Sequence, residues 1–161
     1  MFNLKPEFHL KIIFLFSFIA LISAFFIEYV LGHQPCNLCL IERIPYGLSI
    51  MIIMVIFLIK KNQKFFIMLL ILTFIFSFAI SFYHYGIEQG FFQESSFCGV
   101  KSLTESITKE DLLKQLSEKT ISCKDVTFRI FGLSLTSINI IISLLFIITL
   151  FKIFIEYEKN K

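Results

Sequence analysis

With 161 residues, 57% of them hydrophobic, and a mean hydropathy of +0.81, the chain is too short and too apolar for an ordinary soluble domain. The net charge is only +3, and a membrane protein is the class that fits. The 22 Phe residues are read as part of that apolar bias rather than as a cofactor box.

Four apolar runs, about residues 10–31, 40–59, 65–85 and 133–155, each have the roughly 20 residues a helix needs to cross a hydrocarbon core of about 30 Å. In lipid every backbone amide must bond internally, so the spans are expected to be helices. The first run is too long for a cleavable signal, and no small-residue cleavage site follows it. Near its end stands Glu28, a costly group at that depth, to which the sequence assigns no role.

Between the first two runs lies Pro35-Cys36-Asn37-Leu38-Cys39-Leu40-Ile41-Glu42-Arg43. A Cys-x-x-Cys pair serves redox and zinc sites alike, but this one opens a span at the depth of the membrane interface. In a helix starting near Cys36, the residues Cys36, Cys39 and Arg43 share a face, with Arg43 one turn beyond Cys39. A helix N-terminus and a guanidinium both favour thiolate. Arg43 could also be a snorkelling anchor paired with Glu42; beside a redox cysteine, the functional role is preferred. Pro45, which has no amide hydrogen, is expected to kink this helix early or delay its start.

The third run ends in Tyr83-His84-Tyr85, where His84 either donates a hydrogen bond to a quinone carbonyl or anchors the interface. A long polar loop, about 86–132, comes next and carries Cys98 and Cys123. Within it Thr108-Lys109-Glu110-Asp111 reads as a capping box opening a helix to about Glu118, with Leu112, Leu113 and Leu116 as its apolar stripe.

Lysines orient the bundle. Lys5, Lys11, Lys60, Lys61, Lys64, Lys152, Lys159 and Lys161 face only Glu7, Glu156 and Glu158 in the short segments on one side. The long loop balances 6 Lys and Arg against 7 acids. Both termini are therefore expected in the cytoplasm and all four cysteines outside it. An even cysteine count in an oxidising compartment favours disulfides, with three connectivities open.

These motifs together resemble the DsbB family of bacterial disulfide-bond formation proteins. The shared features are Cys-x-Leu-Cys-x-x-x-Arg at the start of the second of four spans, a second cysteine pair in the loop between spans three and four, and the stretches 83–89 and 122–134. The resemblance covers nearly the whole chain, with Pro45 a departure from it. It implies an all-α membrane protein, one domain over residues 1–161, forming a four-helix bundle in the bacterial inner membrane with its cysteines periplasmic. It implies catalysis by Cys36, Cys39, Cys98 and Cys123, and ubiquinone or menaquinone bound beside Arg43, with His84 the second quinone candidate. It also implies a DsbA-like thioredoxin-fold partner, which attacks a Cys98–Cys123 disulfide through Cys98. Cys123 then attacks Cys36 of a Cys36–Cys39 disulfide, and Cys39 leaves as thiolate toward the quinone. Such a partner has a potential near about −120 mV, too oxidising for glutathione to restore, so its electrons must reach a stronger acceptor such as quinone.

The vitamin K epoxide reductase family places its loop cysteines before the Cys-x-x-Cys, the reverse of the order here. A four-cysteine metal-binding membrane protein is the alternative from another class, and a scaffold with two structural disulfides is the blandest. No resident metal and no nucleic-acid partner are expected.

Overall fold

The computed structural model describes residues 6–59, 62–93, 98, 122–124, 129–130 and 132–159. Helices α1 (Pro6–Tyr29), α2 (Asn37–Ile41), α3 (Ile44–Leu58) and α4 (Gln63–Glu88) precede strands β1 (Arg129–Ile130) and β2 (Leu133–Ser134), and α5 (Leu135–Lys159) comes last. Four stretches are long and apolar enough to cross a membrane: α1, the 22 residues of α2 and α3 together, α4, and α5 as far as Tyr157. The protein is thus an all-α, multi-pass membrane protein. The helix expected at about 108–118 falls outside the described residues.

Each expected span is found, with ends displaced for local reasons. The first run stays apolar to Leu31, but α1 stops at Tyr29 because Gly32, at φ 72°, turns the chain out of the helix. A short antiparallel hairpin absorbs the start of the last run. Arg129 pairs with Ser134 and Ile130 with Leu133, with Gly132 at φ 82° in the turn. Ser134 then begins the helix, its Oγ accepting from the Ser137 amide at 3.2 Å as an N-cap does.

Packing reflects an apolar composition without a single polar face. α4 lies along α5, α3 joins α1 to α4, and α1 touches α5 only slightly. Large side chains such as Phe18, Met51, Phe76 and Leu145 point outward, as suits lipid contact. The larger core cluster is mainly apolar, built on Leu10, Ile13, Ile53, Ile56, Ile67 and Phe74, with Tyr46 at its edge. The Phe74 ring meets Tyr46 and Phe146 edge-on, with centroids 6.3 and 5.0 Å away. Small hydroxyls stitch helix pairs where backbones approach: Ser49 donates to Ser17 at 3.0 Å and Ser143 to Ser77 at 3.1 Å. Such bonds contribute about 0.6 kcal/mol each in a membrane. A second, smaller cluster closes the other end with Cys36, Leu38, Ile87, Cys98 and Cys123.

Phe74 is fully buried whereas Phe76 is 54% exposed. Phe74→Ala is therefore expected to remove about 3–5 kcal/mol of stability, while Phe76→Ala costs far less. Thermal unfolding of the two variants in the same detergent checks the difference.

Candidate functional site

The site begins with the chain's return from α1. Residues 33–35 lead to Cys36, which caps α2 in extended conformation (φ −71°, ψ 165°), its Sγ accepting from the Cys39 amide at 3.2 Å. A cysteine takes the place that Ser or Asp usually fills, so one free amide of the helix start, that of Cys39, points at sulfur.

Pro45 interrupts the helix that Cys36 opens. It has no amide to give the Ile41 carbonyl, so α2 ends after five residues and α3 restarts at Ile44 with proline in its first turn. Across the joint the Arg43 amide bonds Leu40 instead, at 3.2 Å, and the ladder resumes with Gly47 on Arg43 at 3.2 Å. At the joint, two adjacent charged side chains, both in αR conformation, have different partners. Arg43 donates to Glu28 on α1 and lies 5.4 Å over the Phe25 ring. Glu42 turns into the bundle. The pairing of Arg43 with Glu42 that the sequence allows is not formed; each has a better partner on another helix.

Glu42 is the hub of a buried polar cluster. Its Oε1 takes the His84 Nδ1 proton at 2.9 Å, and its Oε2 accepts from Asn139 Nδ2 at 3.3 Å. Asn139 also donates to Ser81 at 2.7 Å and accepts from the Tyr46 hydroxyl. On its other side His84 offers Nε2 to Cys36 Sγ at 3.6 Å. Thr136 lies 3.3 Å from His84 Nδ1 and donates to Glu88 at 2.7 Å. A carboxylate can only accept, so a proton on Nδ1 faces Glu42 and leaves Nε2 to take or return the Cys36 proton.

A cavity of about 340 Å³ opens between α1 and α5, its floor formed by the α2–α3 joint. Phe16, Ile19 and Ile142 give it apolar walls, and Cys39, Glu42, Arg43, Tyr46 and Asn139 gather at its polar end. The volume and the few convergent polar groups suit a small ring with hydrogen-bonding substituents. His84 is not among the lining residues; Glu42 links it to the cavity.

Of the three possible connectivities, the structure has Cys98 bonded to Cys123, with Cα atoms 5.5 Å apart, and Cys36 and Cys39 as thiols. The loop disulfide is buried and packs directly in the cluster with Cys36 and Leu38. In this reduced pair the Cys36 thiol is lowered to about 5. The hydrogen bond from the Cys39 side chain contributes most, with His84 adding to it, against the opposing effect of burial. All four expected cysteines and His84 thus meet at one end of the bundle, with Arg43 on the cavity side. Asn139 and Tyr46 were not singled out from sequence, and Glu42 only as a possible partner of Arg43, although an amide and a carboxylate in apolar spans are themselves signals of a site.

Comparison with known proteins identifies the family. The family model described as disulfide bond formation protein DsbB matches residues 7–153. An uncharacterized protein of Rickettsia prowazekii (strain Madrid E) is 31% identical over 147 residues, covering 90% of this chain and 86% of its own length.

Iodoacetamide attacks thiolate, so in the reduced, quinone-free protein alkylation of Cys36 is expected to persist down to about pH 5 and fall below it. His84→Ala removes one stabilising partner of the thiolate and should move that curve to higher pH. Mass spectrometry of quenched samples reads both, and an unmoved curve would show that the imidazole does not act on Cys36.

Proposed function

The chain belongs to the DsbB family of membrane disulfide bond formation proteins, and from that premise we propose that it reoxidises a DsbA-like periplasmic thiol oxidoreductase and passes the electrons to membrane quinone. One observation carries the reading. Cys36 packs in one cluster with the Cys98–Cys123 disulfide, while Cys39, its partner in the Cys-x-x-Cys, lines a cavity that also holds Arg43. The loop disulfide that would meet a protein dithiol and the cysteine pair that would meet a lipid-borne acceptor are then one exchange step apart.

The exchange is balanced in thiols and disulfides. A partner thiolate attacks Cys98 Sγ and breaks the Cys98–Cys123 bond. The Cys123 thiolate attacks Cys36 Sγ of an oxidised Cys36–Cys39 pair, and Cys39 leaves as thiolate at the cavity. The second partner thiol resolves its mixed disulfide and frees Cys98, which attacks Cys123, restoring the loop disulfide and returning Cys36 as a thiol. A bound quinone, ubiquinone or menaquinone, supplies the two-electron, two-proton acceptor that lets Cys36 and Cys39 close again. The cavity fits such a head group by its apolar walls and polar end. Arg43, held by Glu28, offers a fixed donor to a ring oxygen and a positive charge beside Cys39. His84 serves Cys36 directly and the cavity through Glu42.

The lysine distribution supports an inner-membrane orientation with both termini cytoplasmic and the cysteines periplasmic. The whole chain then acts as one membrane domain. The alternative of a four-cysteine metal protein is weakened by the Cys98–Cys123 bond, which consumes two of the four sulfurs.

Replacing Cys98 or Cys123 by Ser should abolish oxidation of a DsbA-like protein and still allow quinone to close Cys36–Cys39. With quinone withheld, Cys39→Ser should accumulate a Cys36–Cys123 crosslink, mapped by non-reducing proteolysis and mass spectrometry. Normal partner turnover by either loop variant would overturn the relay.

Arg43→Ala removes a charge-assisted donor of about 1.5–3 kcal/mol, so the quinone KM is expected to rise roughly ten- to hundred-fold. Lys at this position should restore only part, having lost the planar fork. Glu28→Gln should show a smaller change of the same sign, because it loosens Arg43 without removing it. Quinone titrations in detergent measure all three.

A further inference from the structure

The reduced site has a second chemical capacity. Cys36 Sγ, Cys39 Sγ and His84 Nε2 lie within 4.8 Å of one another, all on described and largely buried residues. Cys36 Sγ and Nε2 are 3.6 Å apart. Zinc bonds of about 2.3 Å to sulfur and 2.0–2.1 Å to nitrogen, at tetrahedral angles, put two such donors about 3.5 Å apart. The observed sulfur–nitrogen separation is therefore already that of one edge of a zinc tetrahedron.

The surroundings hold this geometry. A metal-binding imidazole is normally fixed by a hydrogen bond from its other nitrogen to a carboxylate. Here Nδ1 meets Glu42 at 2.9 Å, and Asn139 anchors the other Glu42 oxygen at 3.3 Å. Glu88 Oε1 stands 3.9 Å from Nε2, and Glu88 Oε2 is buried with no hydrogen-bond partner among the described residues. Two carboxyl groups and two sulfurs surround one imidazole, so binding through two thiolates would add negative charge to a pocket already rich in oxygen. A dication bound by two thiolates would reduce that charge.

We infer that the reduced Cys36–Cys39 pair and His84 form a three-ligand site for a thiophilic divalent cation of the zinc class, open at its fourth position toward the cavity that Cys39 lines. Site and disulfide are mutually exclusive, because sulfurs bonded to each other cannot serve as thiolate ligands. The cation therefore binds only the reduced pair and delays its reoxidation. Cys98 and Cys123 have no part in it, which separates this site from a four-cysteine one. The inference does not depend on the quinone or on the partner, and its test reads binding alone.

The test uses the full chain in detergent as a Cys98→Ser/Cys123→Ser double variant, so that reduction affects only the pair in question. Co2+ reports thiolate ligation by its sulfur-to-metal absorption, and Zn2+ is measured by competition with a chromophoric chelator. One equivalent should bind to reduced protein and none to protein oxidised with diamide. His84→Ala should weaken binding at least ten-fold and Glu42→Gln by roughly ten-fold or more. Under reductant His84→Cys should restore binding, which separates ligand loss from misfolding. Equal binding by oxidised protein would assign the metal to other residues, such as His9 and His33. Wild-type affinity in His84→Ala, or failure of His84→Cys to restore it, would remove the imidazole from the site and overturn the proposal.

Discussion

A single missing amide proton arranges this site. Pro45 cannot bond the Ile41 carbonyl, so the second crossing is built as a five-residue turn of helix joined to a longer helix. In an uninterrupted helix, Glu42 and Arg43 would be successive residues about 100° apart on one cylinder. At the joint they serve different neighbours: Glu42 reaches α4 and α5, and Arg43 reaches α1. The cavity floor is that joint. A proline that reads in the sequence as an obstacle to placing Cys39 and Arg43 together still leaves both residues lining the cavity, with the two adjacent charges on separate duties.

The burial of Glu42 then constrains the rest of the bundle. A carboxyl group buried in a low-dielectric interior is costly unless its oxygens are hydrogen-bonded. His84 from α4 and Asn139 from α5 do this, and Asn139 is in turn held by Ser81 and Tyr46. Three crossings are thereby tied at one depth by directed bonds, in a solvent where apolar side chains cannot distinguish helix from lipid. The larger apolar cluster makes little such demand and is filled mostly by Ile, Leu and Phe.

The range of each force decides how far the sequence could reveal its effect. The crossings were legible because each needs about twenty apolar residues in a row, a purely local requirement. The early break was legible too, because proline carries its constraint within one residue. Capping and turn geometry shifted the ends: Gly32 cut the first run short, and the 129–134 hairpin was not foreseen. Glu28 had no visible role because its partner Arg43 is 15 residues away on another helix, and Tyr46 and Asn139 are 93 apart. Periodicity says nothing of such pairs. The Cys98–Cys123 pairing came from family resemblance, since cysteine counting leaves three choices equal.

The cavity has α1 on one side and α5 on the other, two helices that barely touch each other. Its walls continue onto the apolar outer surface, because Phe16, Ile19 and Leu135 line it and are also exposed. A hydrophobic ligand of the kind proposed for this cavity would therefore enter sideways out of the bilayer rather than through water. Occupancy then depends on the ligand's mole fraction among the lipids and its lateral diffusion, and the aqueous volume of the sample does not enter. An intrinsically weak site suffices in a native membrane where the ligand is concentrated, and diluting the same protein into excess detergent micelles empties it with no change in any contact.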